Sequence, residues 1–281
     1  AKYQSIWTNE RSPLIVYTQE LAQKLENYSG IPVYYAMRYG NPGPDKVLDE
    51  ICEDHPGVKE VILFPLYPHY AMSSYETAVE YVRNIWQSGQ YSFHMRMVEP
   101  YYNHSEYIEA LSQSIVPWLN DEYDHLLFSY HGIPERHLEK TDPTGHHCLS
   151  DQDCCQTPSP AHAFCYRHQV LETTRLVARH LRLSEDRYSI SFQSRLGRAK
   201  WLGPATADIL QQMPSQGVKK LLVVTPAFVS DCLETLEEIR QEGREIFFEA
   251  GGKVFDHIPC LNARDEWVEA IYRMVSGQNA I

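Results

Sequence analysis

The chain has 281 residues, 43 % of them hydrophobic and 22 % charged, with a net charge of −12. That is the balance of a globular protein with core enough for one large domain or two ordinary ones. An acidic chain with no Lys/Arg-rich run is a poor match for nucleic acid, and its longest apolar runs, residues 61–66 and 221–224, are too short to cross a bilayer. No secretory leader opens it, which predicts a cytoplasmic, reducing setting where disulfides are rare. The odd count of seven cysteines points the same way.

In chain order, "IPVYYAMRYG" (31–40) predicts a strand and "DKVLDEICEDH" (45–55) an amphipathic helix. "VKEVILFPLYP" predicts a buried strand, and "SSYETAVEYVRNIWQSG" a helix with a Ser start and a Gly stop. "YSFHMRMVEP" leads to the helix "SEYIEALSQSIVPWL" and then to the strand "HLLFSYHGIP" (125–134). The second half runs through the strand "YSISFQSR", a helix over "ATADILQQM" and the strand "VKKLLVVTPAFVS". "DCLETLEEIRQEGREIFFEAGG" predicts a helix, "KVFDHIPCLN" an extended stretch, and "ARDEWVEAIYRMVSG" a closing helix. Such alternation implies parallel sheets covered by helices.

The halves share an order of parts. Each has Arg-X-Gly after a strand, then a helix, then Val-Lys and an apolar strand, then a loop into a helix with a Glu-Thr pair. Two similar α/β domains follow, with a ligand cleft expected beyond the carboxyl ends of the strands. "RYGNPGP" lacks the spacing of a dinucleotide fingerprint, and no Walker sequence occurs, so NAD and ATP chemistry are disfavoured.

His131 stands where "LLFSY" meets the turn "GIP", the strand end that faces such a cleft. A lone histidine there is more often a satisfied core residue, but the second half adds Asp231 at a strand end and Glu234, Glu238 and Glu242 behind it. Four-residue spacing stacks those carboxylates on one helical face, where like charges cost stability. A solvated helix face is the plain alternative. A cleft histidine with a file of carboxylates suits metal handling or a proton relay. Tyr67, Tyr70 and Trp201 are candidates for an apolar pocket, or for core.

"SYHGIPERH", "SFQSRLGRAKWLGP" and "FVSDCLETLEE" resemble three signature blocks of the ferrochelatase family, which inserts ferrous iron into a porphyrin. "YQSIWTNERSPLIVYT", "AMRYGNP" and "LFPLYPHYAMSS" resemble further stretches of it, so the likeness runs to about Asn262. It implies two Rossmann-like, chelatase-type domains with parallel four-stranded sheets and porphyrin in the cleft between them. The expected units are 1–117, joined by the C-terminal helix 264–281, and 118–263, which carries a Cys-rich loop (145–166). The family's usual opening strand and apolar lip have no counterpart in this sequence, so contacts from them are not carried over.

By motif, the resemblance assigns His131 to the active-site histidine of S-[FY]-H-G and Glu234 to the glutamate of H-x-E-T-L, with Glu238 and Glu242 continuing the file. Gln193, Ser194 and Trp201 match Q-S-K/R and W-L-G-P near the pocket, and Arg38 and Tyr39 match an R-Y pair. Cys232 stands where many relatives carry a second histidine; it takes over that role or is a packing residue. The implied substrates are Fe2+ and protoporphyrin IX, giving protohaem, with His131 and Glu234 handling the metal and its protons. Coproporphyrin is the alternative substrate, and a non-catalytic iron–sulfur or tetrapyrrole-binding protein the alternative of another class. The resemblance also allows peripheral contact with the inner face of the cytoplasmic membrane, and either a monomer or a homodimer.

Four cysteines crowd one irregular stretch: Cys148, Cys154, Cys155 and Cys165. Four thiolates are what a 2Fe–2S cluster needs. The adjacent Cys154 and Cys155 serve two irons more easily than one tetrahedral Zn2+, and the paired knuckles of zinc ribbons are missing. Some ferrochelatases carry a similar internal insertion that holds such a cluster. Zinc, a disulfide and free thiols remain the other readings. Cys52 and Cys260 sit in apolar patterns and read as core.

Overall fold

Apolar and aromatic runs become parallel strands, and the amphipathic stretches between them become the helices that cover the strands. A computed structural model describes residues 5–8, 11–119 and 122–277. In the first half, α1 (Pro13–Ser29) and α2 (Pro44–Asp54) precede β1 (Glu60–Leu63). Both helices open with Pro in the first turn, where its missing N–H has no intrahelical partner to lose. A π-helical turn, Met72–Glu76, runs into α3 (Thr77–Ser88), and β2 (His94–Met97) pairs in parallel with β1. Next comes α4 (Ser105–Ile115).

The second half is built on β3 (His125–His131), with α5 (Glu135–Thr141), α6 (Tyr166–His180), β4 (Tyr188–Gln193) and α7 (Thr206–Gln212) following. β5 (Lys220–Val224), a π-helical segment Glu234–Gly243 continuing as α8 (Arg244–Glu249), β6 (Val254–His257) and α9 (Asp265–Ser276) complete it. The sheet order is β4-β3-β5-β6, all parallel. β3 is central, and Leu126, Leu127, Phe128 and Tyr130 are fully buried, the near-continuous apolar run of a strand covered on both faces. α9 packs back onto α1 and α4 of the first half, where Lys24 Nζ donates to Ala263 O at 2.8 Å.

Two expectations are corrected. The 31–40 stretch forms no strand among the described residues, so the first half shows a two-stranded pair where four strands were expected. Residues 32–37 and 60–63 both line the large cavity described below, and without a hydrogen-bonded partner across it the first stretch joins no ladder. The helix after β5 was expected to be ordinary, but it is π-helical over ten residues. Its wider turns keep residues four apart on one side, and π-helical turns are frequent at functional sites.

Candidate active site

A cavity of about 1450 Å³ opens between the halves, and its wall joins the strand ends of both. From the second half come His131, at the end of β3, and Ser230, Cys232 and Glu234, in the turn beyond β5 and the start of the π-helical segment. From the first half come Arg38, Tyr39, Tyr67 and His69. The two sides meet electrostatically at Tyr67. Burial raises its phenol above the ordinary range, and Tyr39, Cys232 and Glu234 add to this while Arg38 opposes it.

His131 Nδ1 lies 2.6 Å from Gly132 O. A carbonyl oxygen only accepts, so Nδ1 carries the proton and Nε2 of the neutral ring carries the lone pair. Gly132 is required here: a Cβ would lie 2.8 Å from Gln193 O and 3.2 Å from the Trp201 ring. Arg38 is sandwiched between the rings of Tyr39 (4.7 Å) and Tyr81 (4.4 Å), and its Nη2 donates to Thr77 Oγ1 at 3.2 Å. Its Nε, like the Ser230 hydroxyl, is buried without a protein partner. Burial and the Glu234 carboxylate push the Cys232 thiol well above the usual range, so it is a neutral thiol hydrogen-bonded to Glu234.

Other sequence candidates stand behind this wall rather than on it. Glu238 accepts from Ser194 N (2.6 Å), Ser194 Oγ (2.6 Å) and Gln193 Nε2 (3.2 Å), which pins the π-helical segment to the end of β4. Ser194 adopts φ 64° to make both bonds. Gln193 also donates to Glu234 O at 2.9 Å, fixing the backbone of the cavity glutamate. Asp231 is buried and accepts from Asn262 Nδ2 (2.7 Å), Thr235 Oγ1 (2.8 Å) and Cys260 N (3.3 Å). It locks the turn after β5. Glu242 is exposed near the end of the segment, and Trp201 packs against Pro134 and Gly132. Tyr70 faces away from the cavity, its ring edge-on to Phe164 at 5.3 Å.

The cysteine loop runs between α5 and α6. All four of its thiols are buried and free. They converge: hydrogen bonds from Cys155 and Cys148, with the backbone N–H of His168, bring Cys165 down to about 6 against the opposing effect of burial. Cys155 is pushed up by its hydrogen bond to Cys165 and by burial, and Cys148 by burial and Cys165. Asp142 accepts from Cys148 N, His147 N, Thr144 N and Thr144 Oγ1, and these donors outweigh burial and hold its carboxyl well below the usual range. His147 and His162 both reach Cys154 O, and His168 Nδ1 reaches Cys155 O. Among the described residues, no three His, Cys, Asp or Glu side chains are arranged to hold a single metal ion. Four converging thiols with N–H and guanidinium donors beside them, Arg167 Nη1 at 3.9 Å from Cys154 Sγ included, do fit a two-iron group that spreads its thiolates over both irons.

Sequence reasoning missed His69, Tyr166 and Gln169. His69 lies in the loop after β1 that the repeat matches to the turn after β5, which carries no histidine, so the repeat gave no signal for it. Gln169 lies inside an amphipathic helix and gave none.

The ferrochelatase family model matches residues 1–279. The chain is 46 % identical to a ferrochelatase of Ectopseudomonas mendocina over 271 residues, covering 96 % of this chain and 79 % of that one. It is 47 % identical to a ferrochelatase of Opitutus terrae over 275 residues, covering 97 % and 79 %. Among solved structures, SirB from Bacillus subtilis with Fe3+ shares the fold at a TM-score of 0.58 and 14 % identity, over 95 % of this chain and 94 % of that one. No helix among the described residues is long and apolar enough to cross a membrane.

Proposed function

The chain belongs to the ferrochelatase family and inserts Fe2+ into protoporphyrin IX to form protohaem, and from that premise we propose how its residues divide the work. Insertion must remove two pyrrole protons and exchange the water shell of Fe2+ for four nitrogens. His131 Nε2 is the base: the 2.6 Å bond to Gly132 O holds the proton on Nδ1 and leaves the Nε2 lone pair free to accept one. Glu234, on the same wall and hydrogen-bonded to the neutral Cys232 thiol, holds the hydrated cation and takes up the second proton. Carboxylate and imidazole bind Fe2+ in transit without retaining it, as a thiolate would.

The first-half wall binds the macrocycle. Tyr39, Tyr67 and the Arg38 guanidinium offer apolar faces and a cation to a flat, doubly anionic ring. Binding energy gathered there is available to bend the ring and expose its nitrogen lone pairs. Glu238 orders the segment behind Glu234, since three donors hold it. We assign residues 1–117 with the returning helix α9 to the macrocycle-binding unit, and 118–263 to the unit supplying acid–base groups.

We further propose that Cys148, Cys154, Cys155 and Cys165 hold a 2Fe–2S cluster, supported by the convergence of four buried free thiols. Such a cluster orders the loop and carries one electron. Insertion changes no oxidation state, so it asks no redox step of the cluster.

The observation that carries the reading is one cavity whose second-half wall holds His131 and Glu234 and whose first-half wall supplies Arg38, Tyr39 and Tyr67. The test is purified protein with Fe2+ or Zn2+ and either protoporphyrin or coproporphyrin, followed by the Soret shift. Insertion into protoporphyrin is expected, and a preference for coproporphyrin by tenfold or more would move the substrate to the alternative.

A further inference from the structure

Helix α6 carries a seam of buried polar side chains that the insertion chemistry does not use. Gln169 and Thr173 are fully buried, Thr174 is 1 % exposed, and His69, which faces them from the first half, is 3 % exposed. Burying such groups costs free energy unless each finds a partner, and nearly every one here does. Gln169 Oε1 accepts from Tyr70 N at 2.6 Å, while its Nε2 donates to Ala163 O at 2.9 Å and His162 O at 3.3 Å. A single amide therefore joins the first-half cleft wall to the end of the cysteine loop. Thr173 Oγ1 donates to Tyr102 O at 2.7 Å, so the 2.9 Å contact with His69 Nε2 makes the imidazole the donor.

The same helix touches the catalytic strand. Its N-cap is Cys165, whose Sγ accepts from His168 N at 3.5 Å. The next residue, Tyr166, donates its hydroxyl to His131 O at 2.9 Å. Tyr130 donates to Thr174 Oγ1 at 2.7 Å, because that threonine hydroxyl is already spent on Val170 O. Phe164 of the loop adds its ring against Tyr70. Within nine residues the chain meets a proposed cluster ligand, the His131 backbone and the cleft wall at residues 65–71. An apolar residue of glutamine's size would fill the space at Gln169 but would fix neither neighbour's position.

We propose that Gln169 and Thr173 are positioning residues that tie the cleft wall at residues 65–71 to the cysteine loop, so that a filled loop tightens porphyrin binding. This rests on the cluster reading above. With the cluster in place, Cys165 is held as N-cap and the carbonyls of His162 and Ala163 stay presented to the Gln169 amide. With the loop empty, the first turn of α6 loses that anchor, and Tyr70 N–H and the adjoining wall lose their fixed partner. By linkage the effect is reciprocal, so porphyrin bound in the cleft stabilises the loop by the same factor.

The test uses the full chain purified without oxygen, in cluster-loaded form and in two cluster-free forms, one stripped with a chelator and one carrying Cys148→Ser. Each is titrated with protoporphyrin, read by quenching of intrinsic fluorescence, and the cycle is repeated in Gln169→Leu and Thr173→Val backgrounds. Removing the cluster is expected to raise the Kd about tenfold in the native background and less than twofold with Gln169→Leu, which should still bind iron at the loop. Hydrogen exchange over residues 142–165 should slow when protoporphyrin binds the native chain, and not when it binds Gln169→Leu. An equal loss in all backgrounds, or none in the native one, overturns the tie while leaving the cluster intact. A native chain that is colourless and free of iron overturns the cluster reading and this proposal with it, and iron analysis before the titration tells the two failures apart.

Discussion

Among the described residues, two π-helical segments occupy matching places in the two halves and present different chemistry. Met72–Glu76 follows β1 and Glu234–Gly243 follows β5, and each contains or borders a Glu-Thr pair. In the first half, Thr77 accepts from Arg38, and Ser73 and Ser74 line the cavity beside that cation. In the second, Thr235 donates to Asp231 and accepts from Cys232 N, stiffening the turn that presents Glu234. On the proposed reading, one repeat unit supplies the binding wall and the other the reactive one. The division predicts that substitutions on the two walls fail in different kinetic constants.

On the reactive wall, His131→Ala should lower kcat by at least about 10²-fold with porphyrin binding retained, because a positioned acid–base group contributes about that much. A variant keeping a tenth of native kcat would break the assignment. Glu234→Gln should cost about tenfold or more in kcat, while Glu242→Gln, exposed near the segment's end, should stay within about threefold. Equal, small effects at both positions would reduce the acidic file to a solvated face. On the binding wall, Arg38→Leu should raise KM for porphyrin about tenfold with kcat nearly unchanged, the size expected for losing a hydrogen-bonded charge. A fall in kcat at constant KM would erase the difference between the walls.

Two further expectations concern what holds the walls in place. Gly132→Ala sets a methyl group 2.8 Å from Gln193 O and should destabilise the fold by about 1–3 kcal/mol, read as a lower urea midpoint. Burial holds the His69 imidazole down to about 3. Its unfolded counterpart takes a proton below about 6.5, so the stabilisation is complete above that pH and is lost as pH falls toward 3. The slope for this group is at most about 1.4 kcal/mol per pH unit. Urea midpoints at pH 7 and pH 5 should differ less in His69→Gln than in the native chain, and an unchanged difference would remove His69 from the account.

Most of the architecture was legible because parallel strands and amphipathic helices write their periods into the chain, as at 125–131 and 265–276. His131 and Glu234 were legible from strand ends and spacing. The π-helical winding was not, because the apolar period of "LETLEEIRQEG" fits an ordinary helix as well. The 31–40 stretch has strand composition but no neighbour to pair with, and pairing is a property of the fold rather than of the stretch. Gln193, Ser194 and Asp231 were recognised as belonging to the site region. Only the coordinates separate a residue on the cavity wall from one that pins the wall from behind.

The most direct test of the account is an anaerobic titration of protoporphyrin and Fe2+ into the native chain, His131→Ala and Glu234→Gln, with binding read by fluorescence quenching and insertion by the Soret shift. The account predicts similar porphyrin affinities in all three, and insertion only in the native chain on the timescale of its turnover. Insertion by His131→Ala at a rate near the native one would contradict it.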